Sequence, residues 1–289
     1  LLFVLNRLIL IKLIQAVKRN GMNAFALIDF SEYSEATLYM MKAWASKQNV
    51  DIKILHQLDF HLPTLTNQEL RLKLEYDHKR VLLNQWFKLS DEIFGSSASI
   101  PFEILEESML DYLKKIDQEA MIFMGLKGGG LLKQIFLGSM VSEVIERLNH
   151  ITVAVPKTFK GHKFEKLVVS AHPKFGINEK AFDKLLETLP DSVLTIEWVS
   201  IAREGEDEGT LYDYLSLLSG KYSLNLERRI SVFSGGDVFS KVKTYFNENG
   251  DQVLVIQKGG RTFQDKIFRK FLVNELVFDG SIPLIVLPI

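Results

Sequence analysis

The sequence predicts an α/β fold built as two tandem open-sheet domains, each a five-stranded parallel sheet with helices on both faces. Three observations predict it. Short apolar strands alternate with segments of helical spacing from Ala24 onward; the same plan restarts after a polar connection that ends at Phe164; and in the first half a glycine loop joins the fourth strand to a helix. Strands separated by helices imply parallel sheets, because parallel neighbours need crossover connections and these usually contain a helix.

In the first half, Ala24 to Ile28 read as a short apolar strand ending at Asp29, Ser34 to Lys47 carry helical spacing, and Ile52 to Leu58 make a second strand, completing a βαβ start. A long mixed segment from Thr66 to Ile93 reads as a helix, Ile100 to Leu105 as a strand, Met109 to Ile116 as a helix, Ala120 to Met124 as a buried strand and Ile151 to Val155 as the fifth strand. Pro156 to Phe164, with proline, glycine and three lysines, reads as a linker. Beyond it the strand candidates are Leu167 to Ser170, Leu194 to Ser200, Leu226 to Phe233, Val253 to Gln257 and Leu284 to Leu287, with helical segments near 178–189, 209–219, 236–248 and 264–278. The domains predicted are 22–156 and 165–289, joined by 157–164, as an internal repeat of about 130 residues per copy.

Residues 1–21 depart from this pattern. Leu1 to Val17 are mostly apolar, but Asn6, Arg7, Lys12 and Gln15 interrupt the run and leave it too short and too charged for a transmembrane helix, and the layout is not that of a signal peptide. The reading is an upstream extension with Met22 as the natural start; an amphipathic membrane-surface helix is the runner-up.

With 289 residues, 47% of them hydrophobic and 25% charged, the chain can bury a core large enough for two domains. A net charge of −1 gives no general attraction to nucleic acid or to an acidic membrane, so neither is an expected partner. The absence of cysteine excludes disulfides, thiol chemistry and thiolate metal sites, and agrees with a cytoplasmic location. The six histidines form no HExxH pair; His56 and His61 read as solvated or hydrogen-bonded side chains rather than metal ligands.

Function is expected in the stretch from Met124 to Pro156. Gly125 follows the strand, two residues separate it from Gly128, nine more lead to Gly138, and Ser139 opens a helix with apolar residues at Val141, Val144, Ile145 and Leu148. Glycines at a strand's carboxyl end let a ligand approach the backbone, and the N–H groups of the next helix N-terminus suit phosphate. The alternative is a turn before an ordinary amphipathic helix capped by Ser139. When the halves are laid over each other with Pro288 on Pro156, Gly260 falls on Gly128, but Gln257 stands at Gly125, Lys270 at Gly138 and Phe271 at Ser139, so the second copy keeps the framework and loses the pocket chemistry.

These residues resemble the universal stress protein family in its tandem two-domain form. The resemblance rests on Gly125-x2-Gly128-x9-Gly138-Ser139, on Asp29-Phe30-Ser31-Glu32 after the first strand, on Leu55-His56-Gln57-Leu58-Asp59 at the end of the second, and on Val153-Ala154-Val155-Pro156 closing the domain. It implies an adenine nucleotide alpha hydrolase-like fold and an ATP site in 22–156, with Mg2+ as an accompanying ion. Asp29 and the backbone at Gln57 would face the adenosine, and Gly125, Gly128, Gly138 and Ser139 would hold the phosphates. Asp29 has an alternative role in capping the following helix. The triple glycine Gly128-Gly129-Gly130 departs from the family pattern and raises the ordering cost of the loop. There is neither a P-loop nor a GxGxxG element.

The expected function is a cytoplasmic ATP-binding stress-response protein with the nucleotide as regulator or stabiliser. A nucleotide-free interaction scaffold of the same fold is the alternative. No base for phosphoryl transfer is assured near the loop, so catalysis is not assigned and slow ATP hydrolysis stays open. The two halves are expected to pair internally through Ile151 to Val155 and Pro283 to Leu287, with a further homodimer open. The basic residues Lys258, Arg261, Lys266, Arg269 and Lys270 around Asp265 read as an anion or acidic-partner site, or as a solvated helix face.

Overall fold

In the computed structural model the described residues are 22–45, 50–59, 67–96, 99–126, 139–159, 164–202, 204–222, 225–248, 251–258 and 282–289. The readings of 1–21, of the loop at Gly128 and Gly138, and of the helix near 264–278 lie outside them.

The strands are β1 (Met22–Leu27), β2 (Val50–Gln57), β3 (Phe102–Leu105), β4 (Met121–Gly125), β5 (Ile151–Val155), β6 (Lys166–Ser170), β7 (Thr195–Ile201), β8 (Glu227–Phe233), β9 (Gln252–Gln257) and β10 (Leu284–Leu287). They form one ten-stranded sheet in the order β3-β2-β1-β4-β5-β10-β9-β6-β7-β8. Each half is a parallel five-stranded sheet with the same internal order, and β5 meets β10 antiparallel, with Leu284 opposite Ala154, Ile285 opposite Val153 and Val286 opposite Thr152. Pro283 and Pro288 bound β10, and proline supplies no N–H to extend a ladder.

The described helices are α1 (Glu32–Ala45), α2 (Gln68–Phe94), α3 (Met109–Leu113), α4 (Ser139–Arg147), α5 (Glu179–Glu187), α6 (Glu208–Lys221) and α7 (Val238–Glu248). Their starts follow from short polar residues. Asn67 caps α2 by accepting from the Leu70 N–H at 2.7 Å, Asn178 caps α5 by accepting from Ala181 at 3.1 Å, and Asp207 caps α6 by accepting from Thr210 at 2.7 Å. Gly95 closes α2 at φ 90°, a conformation that glycine adopts without a Cβ penalty.

Strand alternation divides the core between the two faces of the sheet. Ala24 and Ala26 of β1, Ile151, Val153 and Val155 of β5, and Ile285 and Leu287 of β10 face one layer with α1, α2, α5 and α6. Phe25 and Leu27, Ala154, and Leu284 and Val286 face the other with α3, α4 and α7. Both layers run without a break from the first half into the second. The linker reading is correspondingly modified at its ends: Phe159 and Phe164 are buried, and Phe164 stacks on Trp44 with ring centroids 5.2 Å apart. Proline, glycine and lysine mark a turn well, but they do not reveal that the aromatic residues beside them complete the core.

Among the described residues the most buried charged side chain lies in the second half. Glu197 on β7 is 3% exposed and accepts from Ser231 Oγ at 2.7 Å and from the Tyr245 hydroxyl, with Lys166 Nζ at 3.4 Å. Burial, followed by the bond to Glu197, drives the Tyr245 phenol pKa upward. The first half carries a more open counterpart, in which Tyr112 of α3 donates to Glu103 at 3.0 Å and Lys53 donates to the same carboxylate at 2.8 Å. In both halves the helix after the third strand brings the tyrosine.

Candidate functional site

In the first half β1 has β2 on one side and β4 on the other, so successive crossovers leave β1 in opposite directions. Such a switch point opens a crevice beyond the strands' carboxyl ends. A cleft of about 310 Å3 lies there, lined by Asp29, Tyr33 and Ser34 after β1, His56, Gln57 and Asp59 at the end of β2, Met124 and Gly125 at the end of β4, Met109 at the start of α3, and Met140 and Val141 in the first turn of α4. Three of the six sequence-identified residues, Asp29, Gln57 and Gly125, therefore come together. Ser139 is the first residue of α4, whose first turn borders the cleft, while Gly128 and Gly138 lie outside the described residues.

Asp29 holds the turn into α1. Its Oδ1 accepts from the Ser31 N–H at 3.1 Å, the Ser31 hydroxyl at 2.6 Å and the Ser34 hydroxyl at 3.1 Å, and its own N–H donates to Ser34 Oγ at 3.1 Å. The carboxylate is thus engaged by the turn before α1, and a ligand hydroxyl would share it with Ser31 and Ser34. Within this turn Phe30 takes φ 58°, an unusual value for a side-chain-bearing residue, and its ring packs 5.0 Å from His56 and 6.1 Å from Phe102.

His56 is 8% exposed, and its Nδ1 lies 2.9 Å from the Ile28 carbonyl oxygen. A carbonyl only accepts, so Nδ1 carries the proton of a neutral ring. Burial lowers the His56 pKa, against the weaker raising influences of the Ile28 bond and Asp29. Gln57 uses its side-chain oxygen to accept from the Met109 N–H at 2.7 Å, tying β2 to the start of α3. The charged side chains among the described lining residues are the acids Asp29 and Asp59. Any positive counterpart to a phosphate would have to come from the loop, where the sequence has Lys127 and Lys133.

Gly125 is needed for packing as well: a Cβ there would sit 2.5 Å from Tyr33 Cβ. The sequence revealed the glycine but not Tyr33, since their contact depends on α1 crossing the end of β4. Tyr33, Met109 and Met140 carry no such signal in the sequence, because apolar residues near strand ends have no pattern that separates a cleft wall from ordinary core.

The second half treats the same place differently. Gly125 pairs with Val155 and Gln257 pairs with Leu287, so the overlay inferred from sequence matches the register of the sheet. Gln257 fills its position with an amide that accepts from the Asn178 N–H at 2.6 Å and donates to the Pro288 carbonyl at 2.6 Å. Where the first half has Asp29 after Ile28, the second has His172 after Ala171, with Nε2 3.1 Å from Glu206. The basic cluster read around Asp265 is described only at Lys258, which is bonded to the end of α4 rather than lying on a solvated face.

Among the described residues no group of three or more histidine, aspartate or glutamate side chains is placed to hold a metal ion, and no helix is long and apolar enough to cross a membrane.

No protein-family model matches the sequence, and no curated protein matches it. Solved structures do. A universal stress protein from Archaeoglobus fulgidus DSM 4304 superposes with a TM-score of 0.60 at 12% identity, covering 92% of this chain and 98% of that one. A putative universal stress protein from Pseudomonas aeruginosa UCBPP-PA14 gives 0.55 at 11% identity over 92% and 93%. The cytoplasmic domain of a prokaryotic cation chloride cotransporter gives 0.51 at 8% identity over 92% and 95%. The chain has the fold of these universal stress proteins over nearly its whole length.

Proposed function

We propose that the chain is a cytoplasmic universal stress protein-like protein that binds one ATP, in the cleft of its first half, as a regulatory or stabilising ligand. The observation that carries this reading is the meeting of Asp29, Gln57 and Gly125 around one cleft at the sheet's switch point, in the half whose sequence holds the full glycine pattern. The fit is chemically reasonable. Leu27, Met109, Met124, Met140 and Val141 supply apolar walls for a flat base, and the volume lies in the range of small-ligand sites. The Gln57 backbone and the Asp29 carboxylate supply polar groups for the adenosine. Phosphates would be held by the glycine loop with Gly128 and Gly138 and by the start of α4 at Ser139. Mg2+ would accompany them and offset their repulsion from Asp29 and Asp59.

Calorimetric titration of the full chain with ATP and Mg2+ tests this, with a stoichiometry near one expected. Gly138→Asp should abolish binding with little loss of folding, because it adds a negative charge beside the phosphates. No binding by the wild type, or two equivalent sites, would overturn the proposal.

The second reading is a nucleotide-free scaffold. It draws support from the likeness to a transporter's cytoplasmic domain and from the local duties of the site residues: Gly125 packs on Tyr33, and Asp29 braces the turn before α1. The same titration separates the two.

A further inference from the structure

The helix that walls the cleft is held from the other half of the molecule. The first turn of α4 contributes Met140 and Val141 to the cleft, while its last turn points its carbonyls toward the second half. There Lys258, which follows Gln257 at the end of β9, donates through Nζ to the Leu148 carbonyl at 2.8 Å and the Glu146 carbonyl at 3.2 Å. Asn149, two residues beyond α4, forms a reciprocal pair with Ile289: Nδ2 donates to the Ile289 carbonyl at 3.2 Å, and the Ile289 N–H donates to Oδ1 at 3.1 Å. The last carbonyls of a helix lack partners within it and carry its negative dipole end, so an ammonium placed among them both bonds and neutralises. The residue at the equivalent point of the first half, Leu126, is a buried apolar side chain. The lysine is thus particular to the second copy.

We infer that Lys258 is a positioning residue for the cleft of the first half: by capping the carboxyl end of α4 it fixes the helix whose amino end forms the cleft wall, so the second half sets the ligand affinity of the first. The inference rests on the reading of that cleft as an ATP site only for its ligand; the mechanical coupling through α4 stands on the bonds themselves. A nine-residue helix with one end clamped has little freedom at the other, because α4 also buries Val141 and Val144 in the core. Loosening the clamp lets the whole helix shift or fray.

The test uses the full chain and two readouts, ATP affinity by calorimetry and amide hydrogen exchange across α4. Lys258→Met should raise the ATP dissociation constant about fivefold, the scale of a favourable charge at a helix end, and should speed exchange along α4. Lys258→Arg, which keeps charge and reach, should restore both, and Lys221→Met, which removes a charge paired with Glu179 inside the second half, should change neither. Asn149→Ala frees the same helix end from Ile289 and should act in the same direction, and it provides the measurement if Lys258→Met does not fold. Unchanged affinity together with unchanged α4 exchange in Lys258→Met would overturn the inference. If the wild type binds no ATP, the ligand reading fails and α4 exchange alone decides the coupling: faster exchange supports it and wild-type exchange overturns it.

Discussion

Gly125 and Tyr33 are mutually exclusive in size: a Cβ on Gly125 would lie 2.5 Å from the Tyr33 Cβ and 3.4 Å from the Tyr33 carbonyl oxygen. Neither contact is with the free end of a side chain, so the tyrosine cannot simply swing aside. Gly125→Ala should therefore push α1 away from the end of β4 at a cost of about 1–3 kcal/mol, the usual range for overpacking. Urea unfolding of the variant checks it. Unchanged stability would leave ligand approach as the remaining reason for the glycine.

Acid should weaken the fold through its buried histidines. His56 and His150 are both buried and both have lowered pKa values, with burial as the leading cause. A histidine with a lowered folded pKa resists protonation, so its contribution is intact above the unfolded value near 6.5 and is lost as pH falls from there through the folded value. The melting temperature should fall between pH 7.5 and pH 5, and His56→Asn should make that fall smaller. An identical pH dependence in the variant would show that His56 titrates normally.

The two tyrosine–glutamate pairs should differ in worth. Tyr245→Phe leaves the buried Glu197 carboxylate one donor short, which costs about 1–3 kcal/mol. Tyr112→Phe removes a donor from Glu103, whose side chain is 40% exposed and which water can serve, so the loss should be below about 1 kcal/mol. Chemical denaturation of both variants decides. Equal losses would mean that burial does not set the value of these bonds.

Removing the second half should expose β5. In the intact chain Thr152, Val153 and Ala154 are paired across to β10, and all three are buried. A fragment of residues 22–160 would present that ladder and its apolar faces as an open edge, which invites pairing with another copy. Sedimentation should find a dimer or larger species. A stable monomer would show that the edge needs no cover.

The sequence by itself determined the alternation of strands and helices, because apolar runs and polar caps are local properties of the chain. Laying Pro288 on Pro156 also anticipated the sheet, since Gly125 pairs with Val155 as Gln257 pairs with Leu287. The sequence also pointed to Asp29, Gln57 and Gly125, because a parallel sheet sends its strand ends to one rim: Gln57 and Gly125 end β2 and β4, and Asp29 lies two residues past β1. Some boundaries moved by two or three residues: β1 begins at Met22 rather than Ala24, and α3 ends at Leu113 rather than Ile116, since helix and strand ends depend on their neighbours. Tertiary structure alone decided what those residues do beside one another. Tyr33 against Gly125, Gln257 bridging Asn178 and Pro288, and Lys258 reaching Leu148 join positions between 31 and 110 residues apart, where no spacing rule operates. A glutamine or lysine in the sequence is equally suited to solvent or to a buried bond: the packing within the second half makes the choice for Gln257, and the position of the second half against the first makes it for Lys258.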